Sequence, residues 1–399
     1  MDKTEVVFLS GVRTPFGTFG GALKDVTAVE LSAIAARAAL GRASIDASQV
    51  SQAIFGNVLL TTADSIYFTR HVALAAGCPI ETPALTVNRL CGSGFQAVVS
   101  GAEEILLGFA EVCLVGGGES MSQAPHVARG LRWGTRLGQS PVLTDSLWEG
   151  LTDTRAGCSM GDTAENLAQQ CGVDRMAADA FALRSQTLTR DAWAAGAFSD
   201  EIVPVPVTDP ATRRPAEFTR DEHPRPETTG DALAKLKPVF RPGGVVTAGN
   251  ASGIGDGAAA LVLASASYAT AHGCKPLARL VSWGIAGVDP RVMGIGPVPA
   301  ARQALDRAGL SIADMDLIEV NEAFAPQTVA VERTLGIDRD RLNVHGGAIA
   351  LSHPLAASGA RITAHLIHAL RRGGKRYGLG SACIGGGQGI GVIVEAITE

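Results

Sequence analysis

The sequence predicts an α/β protein made of two similar βαβ-type halves, with a differently composed lobe inserted between them. Three observations carry that prediction. Short apolar, strand-like runs alternate with amphipathic helical ones, the pattern of a mostly parallel sheet covered on both faces. A stretch of text recurs: Ala35–Ala43 matches Ala300–Ala308 at seven of nine places, and a Ser-Ile pair follows each copy (Ser44-Ile45, Ser311-Ile312). Between the copies the composition changes, and eight of the nineteen prolines fall from Pro204 to Pro242.

Taken in order, residues 5–9 read as a strand, 28–43 as an amphipathic helix and 53–60 as a buried strand ending near Asn57. Pro83-Ala84-Leu85-Thr86-Val87 is a short strand running into Asn88-Arg89-Leu90-Cys91-Gly92-Ser93-Gly94. Phe95, Val98, Val99, Ala102, Ile105 and Leu106 then follow at helical spacing. In the second copy a strand ends at Asn321, the counterpart of Asn57, and Val115-Gly116-Gly117-Gly118 is echoed by Ile384-Gly385-Gly386-Gly387. The pairs keep their order at separations of 264 to 269 positions, too long for a solenoid and suited to a duplicated half. The expected units are 1–119 completed by 247–270, an inserted lobe 120–246, and 271–399. Within the lobe, 162–171 and 176–198 are amphipathic enough to pack over a crevice between the halves.

Composition narrows the function. The 399 residues are 46% hydrophobic and 18% charged, with 48 glycines and a net charge of −5, which argues against a nucleic-acid or anionic-membrane surface. No apolar run approaches a spanning helix, so no membrane insertion is expected. The N-terminal run is too short and acidic for a signal peptide. Seven cysteines without framework spacing imply reduced thiols, hence a cytoplasmic location, with a mitochondrial matrix the other reducing choice. There is no CxxC pair, and His365 and His368 are read as a helix face, so no metal is expected. Asn250-Ala251-Ser252 matches a glycosylation sequon by accident.

Four polar or glycine-rich turns stand at predicted strand ends. They are the Cys91 turn, Asn321-Glu322-Ala323-Phe324, Asn343 to Pro354 with His353, and Gly380 to Gly389 with Cys383. A cysteine between a strand and a helix start meets free backbone N–H groups, which favour a thiolate and can hold an oxyanion. Two thiols, an imidazole and an amide are an inventory for acyl transfer through a thioester. Each also has a structural reading: Cys91 and Cys383 as core, His353 as a turn histidine, Asn321 as a cap. Strand-like text after Gly391 rules out a dinucleotide fingerprint at the last turn.

Together the four turns resemble the signature loops of the thiolases. The likeness runs the length of the chain through Gly11–Gly17, Met160–Asn166 and Thr247–Gly253. Tyr67–Val72 and Asp145–Trp148 look most like the mitochondrial-type 3-ketoacyl-CoA members. The resemblance implies a thiolase-like α/β/α/β/α layered core and a homodimer or homotetramer. It implies no permanently bound cofactor, with coenzyme A and acyl-CoA as substrates. It further implies Cys91 as nucleophile, His353 as its base and Cys383 as the acid/base for the α-carbon. Asn321 would serve one oxyanion site through a water, and the N–H groups of Cys91 and Gly385 the other. Arg225, Phe240, Ala248 and Ser252 would bind coenzyme A, and Met160, Met293 and Phe324 would line the acyl pocket. Ser352 and Ala356 replace usual glycines. Ser159 replaces the histidine of short-chain biosynthetic members, which favours a 3-ketoacyl-CoA enzyme over an acetoacetyl-CoA synthase. A ketoacyl synthase-like enzyme and a noncatalytic acyl-CoA-binding protein are the remaining alternatives.

Overall fold

A computed structural model describes residues 5–208 and 212–397. Nine strands of three or more residues build one continuous sheet: β1 (Val6–Arg13), β2 (Gln52–Gly56), β3 (Ala84–Val87), β4 (Val112–Ser120), β5 (Gly255–Ser265), β6 (Ala278–Gly287), β7 (Leu317–Val320), β8 (Tyr377–Ile384) and β9 (Gln388–Ala396), with the two-residue Gly17–Thr18 beside β5. Their order is β7-β8-β9-β6-β1-β5-β4-β2-β3. Among the described residues, two pairs, Val7 with Arg279 and Phe8 with Ala278, join the two halves at β1 and β6. The expectation of a mostly parallel sheet needs correction. Parallel pairing is confined to β3-β2-β4 and β7-β8. The turn Gly385–Gly387 folds β8 straight back on β9, and a connection that short makes an antiparallel pair.

The helices that cover this sheet are α1 (Ala28–Ala43), α2 (Phe68–Ala75), α3 (Ser93–Leu106), α4 (Met160–Cys171), α5 (Arg175–Ala194), α6 (Pro297–Ala308), α7 (Ala325–Leu335) and α8 (Leu355–Arg372). Alternation along β5 shows the layering. Ala258, Ala260, Val262 and Ala264 pack with α1 and α2, while Ala259, Leu261 and Leu263 face α3 and α8. On the other side of α3 and α8 lie Ala382, Ile384, Ile390, Val392 and Val394 of the second half-sheet. The far face of that half, with Leu379 and Ile393, is covered by α4 to α7. The layers are therefore α/β/α/β/α, as expected.

The middle layer is unusually tight. A Cβ on Gly359 of α8 would sit 2.3 Å from the backbone N of Phe95 on α3, and one on Gly117 of β4 would sit 2.0 Å from the carbonyl of Ala356. Much of the glycine content thus permits closeness between backbones in the central layers.

Between β4 and β5 the chain leaves the sheet and forms the lobe. Its helices α4 and α5 lie where amphipathic text was read, each capped by a side chain, Ser159 and Asp174. Arg13 at the end of β1 anchors the lobe: fully buried, it donates to Glu201 at 2.6 Å and to both oxygens of Asp221 at 2.6 and 2.9 Å. Asn250 of the sequon is fully buried, with its side-chain amide held by Asp179 and Val245, so it accepts no glycan.

Candidate active site

The Cys91 turn is as sharp as its sequence requires. Leu90 takes a left-handed φ of 47°, and a one-turn 3-10 segment, Leu90–Gly92, leads into α3. Ser93 Oγ accepts from Arg89 N at 2.8 Å and donates to the Leu90 carbonyl at 2.7 Å, which locks the turn. The half-buried Cys91 packs with Leu59, Met121, Leu147 and Leu355.

The backbone N–H groups of Cys91 and of Gly385, which lies against Leu90, favour a charge on the Cys91 sulfur. One comes from the first half, the other from the glycine turn of the second. Burial nevertheless outweighs these donors and pushes the thiol up to about 11. The expectation that the helix start alone would favour a thiolate is corrected here: the resting group is the thiol.

His353 precedes α8 and is buried, with its backbone N–H bound to the Gly253 carbonyl at 2.8 Å. Ser358 donates to the Pro354 carbonyl at 2.9 Å, so its lone pair faces His353 Nδ1 at 2.5 Å and the ring proton sits on Nδ1. Nε2 is left as the acceptor, and Asn321 Nδ2 donates to it at 3.3 Å. Burial and the nearby Arg361 push the imidazole down to about 3. Asn321 is fully buried, its backbone N–H is bound by the Ser381 carbonyl at 2.8 Å, and its Oδ1 has no protein partner.

Cys383 is fully buried with Met293, Val246 and Phe324. Burial, and then the neighbouring Cys91, push its thiol well above the usual range. Cys91, Gly385 and Cys383 thus form one group of neighbours, and Asn321 and His353 another, at the boundary between the halves. Glu322 ties the loops that carry them: its buried carboxylate accepts from Ser185 Oγ, Asn343 Nδ2 and Ile349 N.

Beside them opens an apolar cavity of about 600 Å³, counting its mouth. His353, Met160, Phe324, Phe240 and Ser252 are on its wall, together with Met121, Trp148 and Leu151. Met293 is packed behind, in the Cys383 cluster. A second cavity, about 810 Å³ with its mouth, is lined by Arg225, Ala248, Gln186 and His223. The four coenzyme A candidates therefore divide two and two. The His223 ring spans the gap, lying so close under Gly253 that a Cβ there would be 2.4 Å from it.

Two family models match the chain: the thiolase N-terminal domain over residues 6–267 and the thiolase C-terminal domain over residues 274–396. The chain belongs to the thiolase family. It is 54% identical over 391 residues to the human mitochondrial 3-ketoacyl-CoA thiolase, covering 98% of each chain. It is 50% identical to the beta-ketothiolase BktB of Cupriavidus necator, covering 98% of this chain and 99% of that one. The crystal structure of the human mitochondrial enzyme in complex with CoA superposes with a TM-score of 0.96 at 53% identity, covering 99% and 98% of the two chains.

The expected cytoplasmic location is overturned. Relatives from human, cattle, orangutan, rat and mouse are all named mitochondrial. The expectation rested on free thiols, which report a reducing interior and do not separate the two. Sequence reading of this thiolase also missed Ser358, whose only signal is a serine five places after His353. It missed Trp148 and Leu151 as cavity wall, and Glu119, whose partners come from distant regions of the chain.

Proposed function

We propose that Cys91 is the acyl carrier, His353 its base and Cys383 the proton donor and acceptor at the α-carbon. The reaction is the CoA-dependent thiolytic cleavage of a 3-ketoacyl thioester, or its reversal by Claisen condensation. One observation carries the assignment: His353 stands in the wall of the apolar cavity with its Nδ1 turned to Ser358, which leaves Nε2 unprotonated.

In cleavage, the Cys91 thiol passes its proton to His353 and attacks the 3-keto carbon. The N–H groups of Cys91 and Gly385 take up the oxyanion. Collapse breaks the bond to the α-carbon, Cys383 protonates the enolate of acetyl-CoA, and the thiol of a second CoA then removes the acyl group. Resting pKa values of about 11 for the thiol and about 3 for the imidazole keep both neutral until substrate displaces water and the developing charges stabilise each other. His353, and a water held by Asn321, serve the enolate oxygen. The Asn321 Oδ1 left without a protein partner supports that role.

Coenzyme A lies across both cavities, with Arg225 toward the phosphates and Ala248, Ser252 and Phe240 along the pantetheine. The acyl chain lies against Met160, Phe324, Met121, Leu151 and Trp148. Ser159 commits its hydroxyl to the cap of α4, accepting from Asp162 N at 3.2 Å. A small, satisfied side chain there leaves room for acyl groups longer than acetyl.

Two apolar surfaces support self-association. Strand β3 has an open edge, with Leu85 45% exposed and Ile80, in the turn before the strand, 75% exposed. The lobe exposes Trp133, Leu137, Val142 and Leu143. Copies of the chain pair through β3, and the lobe surfaces join two pairs into a tetramer.

The decisive experiment is incubation with acetoacetyl-CoA followed by mass spectrometry of the Cys91 peptide. An acetyl adduct is expected, absent in Cys91→Ala. Cys383→Ala is expected to keep the adduct when acetyl-CoA is the acetyl donor, because thioester exchange needs no proton transfer at the α-carbon, while losing condensation by about 100-fold or more. No adduct on the unaltered chain under conditions where CoA binds would sink the assignment.

A further inference from the structure

One buried acid has no role in that mechanism. Glu119, the penultimate residue of β4, is fully buried and its carboxylate accepts four hydrogen bonds. Three come from the loop after β2: Asn57 Nδ2 at 3.1 Å, Val58 N at 3.2 Å and Leu59 N at 3.0 Å. The fourth comes from Ala356 N at 3.2 Å, in the first turn of α8, three residues beyond His353. The strut thus runs from the first half to the helix that carries the base.

The second half holds a counterpart. Gln388 follows Ile384 by four places, as Glu119 follows Val115 in the repeated text. Its Oε1 accepts from Nη1 of Arg89, two residues before Cys91, at 2.9 Å. Arg89 is steadied in turn by Gln96 at 2.7 Å. Each half therefore reaches across the crevice and holds the reactive loop of the other. The two struts differ in one respect: Glu119 can carry a charge and Gln388 cannot.

We propose that Glu119 and Gln388 are paired positioning residues that hold the Cys91 turn and the start of α8 in register across the crevice. The role follows from the contacts: each strut bonds a group within three residues of Cys91 or His353 on the opposite half.

The role rests on the functions proposed for Cys91 and His353, and it is tested on the full chain by kcat and KM for thiolysis of acetoacetyl-CoA. Gln388→Ala and Glu119→Gln are each expected to lower kcat about tenfold or more with little change in KM, as misplacement of reacting groups does. If Glu119→Gln fails to fold, Asn57→Ala, which strips one of the four donors, is expected to lower kcat the same way by less. Unchanged kcat in both strut variants, or a loss carried by KM instead, would overturn the positioning role. Absence of thiolysis in the unaltered chain would strike the functional reading instead.

Discussion

At the scale of single residues, Ser352 shows how a departure from a family pattern becomes a physical fact. Sequence comparison marked it only as a serine where glycine is usual. The structure gives it φ 78° and ψ 171°, a region that is essentially glycine-only, and leaves its buried hydroxyl without a partner beside Gly255. Strain and the orphaned hydroxyl together cost about 2–4 kcal/mol, against about 1 kcal/mol for the greater freedom of an unfolded glycine. Ser352→Gly is therefore expected to stabilise the protein by about 2 kcal/mol and to raise Tm by roughly 2 °C. Calorimetry that shows no gain would mean that the surroundings have already relaxed around the serine. The turns that carry Cys91, His353 and Cys383 were legible because each is local text. Ser358 and Glu119 were not, because a serine inside an 18-residue helix and an acid at a strand end look ordinary until the fold brings them partners.

At the scale of elements, helix α1 was readable to its exact ends. Thr27 and Glu30 form a capping box at its start, and Ser44 closes it in a left-handed conformation. The strand read over 53–60 was too long, since apolar text continues past Gly56. The backbone N–H groups of Val58 and Leu59 turn to Glu119 and leave the ladder. The middle layer was less legible still, because a glycine in sequence does not say which backbone it admits. The crossing of α3 and α8 at Gly359 makes a test. Gly359→Ala forces these helices apart, because the new Cβ would begin 2.3 Å from Phe95 N, and the shift costs about 3 kcal/mol. Because Cys91 and His353 stand at the starts of these helices, kcat should fall about tenfold with it. Full activity in that variant would show that the crossing yields without moving the site.

At the scale of the whole molecule, the repeat in the text correctly announced two similar halves, but pairing direction depends on connections and was misjudged. Likewise Val115–Gly118 lies within strand β4, while its echo Gly385–Gly387 forms a turn with φ 80° at Gly386 and 82° at Gly387. The same letters serve an extended strand in one half and a tight glycine turn in the other. Association belongs to this scale too. Leu85→Lys places a charge on the open edge strand and is expected to convert assemblies into single chains at micromolar concentration, measured by light scattering. An unchanged mass would exclude β3 as the contact.

The central pair of helices has one more consequence. Each of α3 and α8 is buried against strands of both halves, so neither half encloses a complete interior by itself. The two family domains are thus a division of the text, not of the material. A chain cut between residues 267 and 274 would yield fragments that each carry half a reaction and an exposed oily face. They could regain activity only by folding together, much as two identical ancestors of such a repeat would once have had to meet as separate molecules.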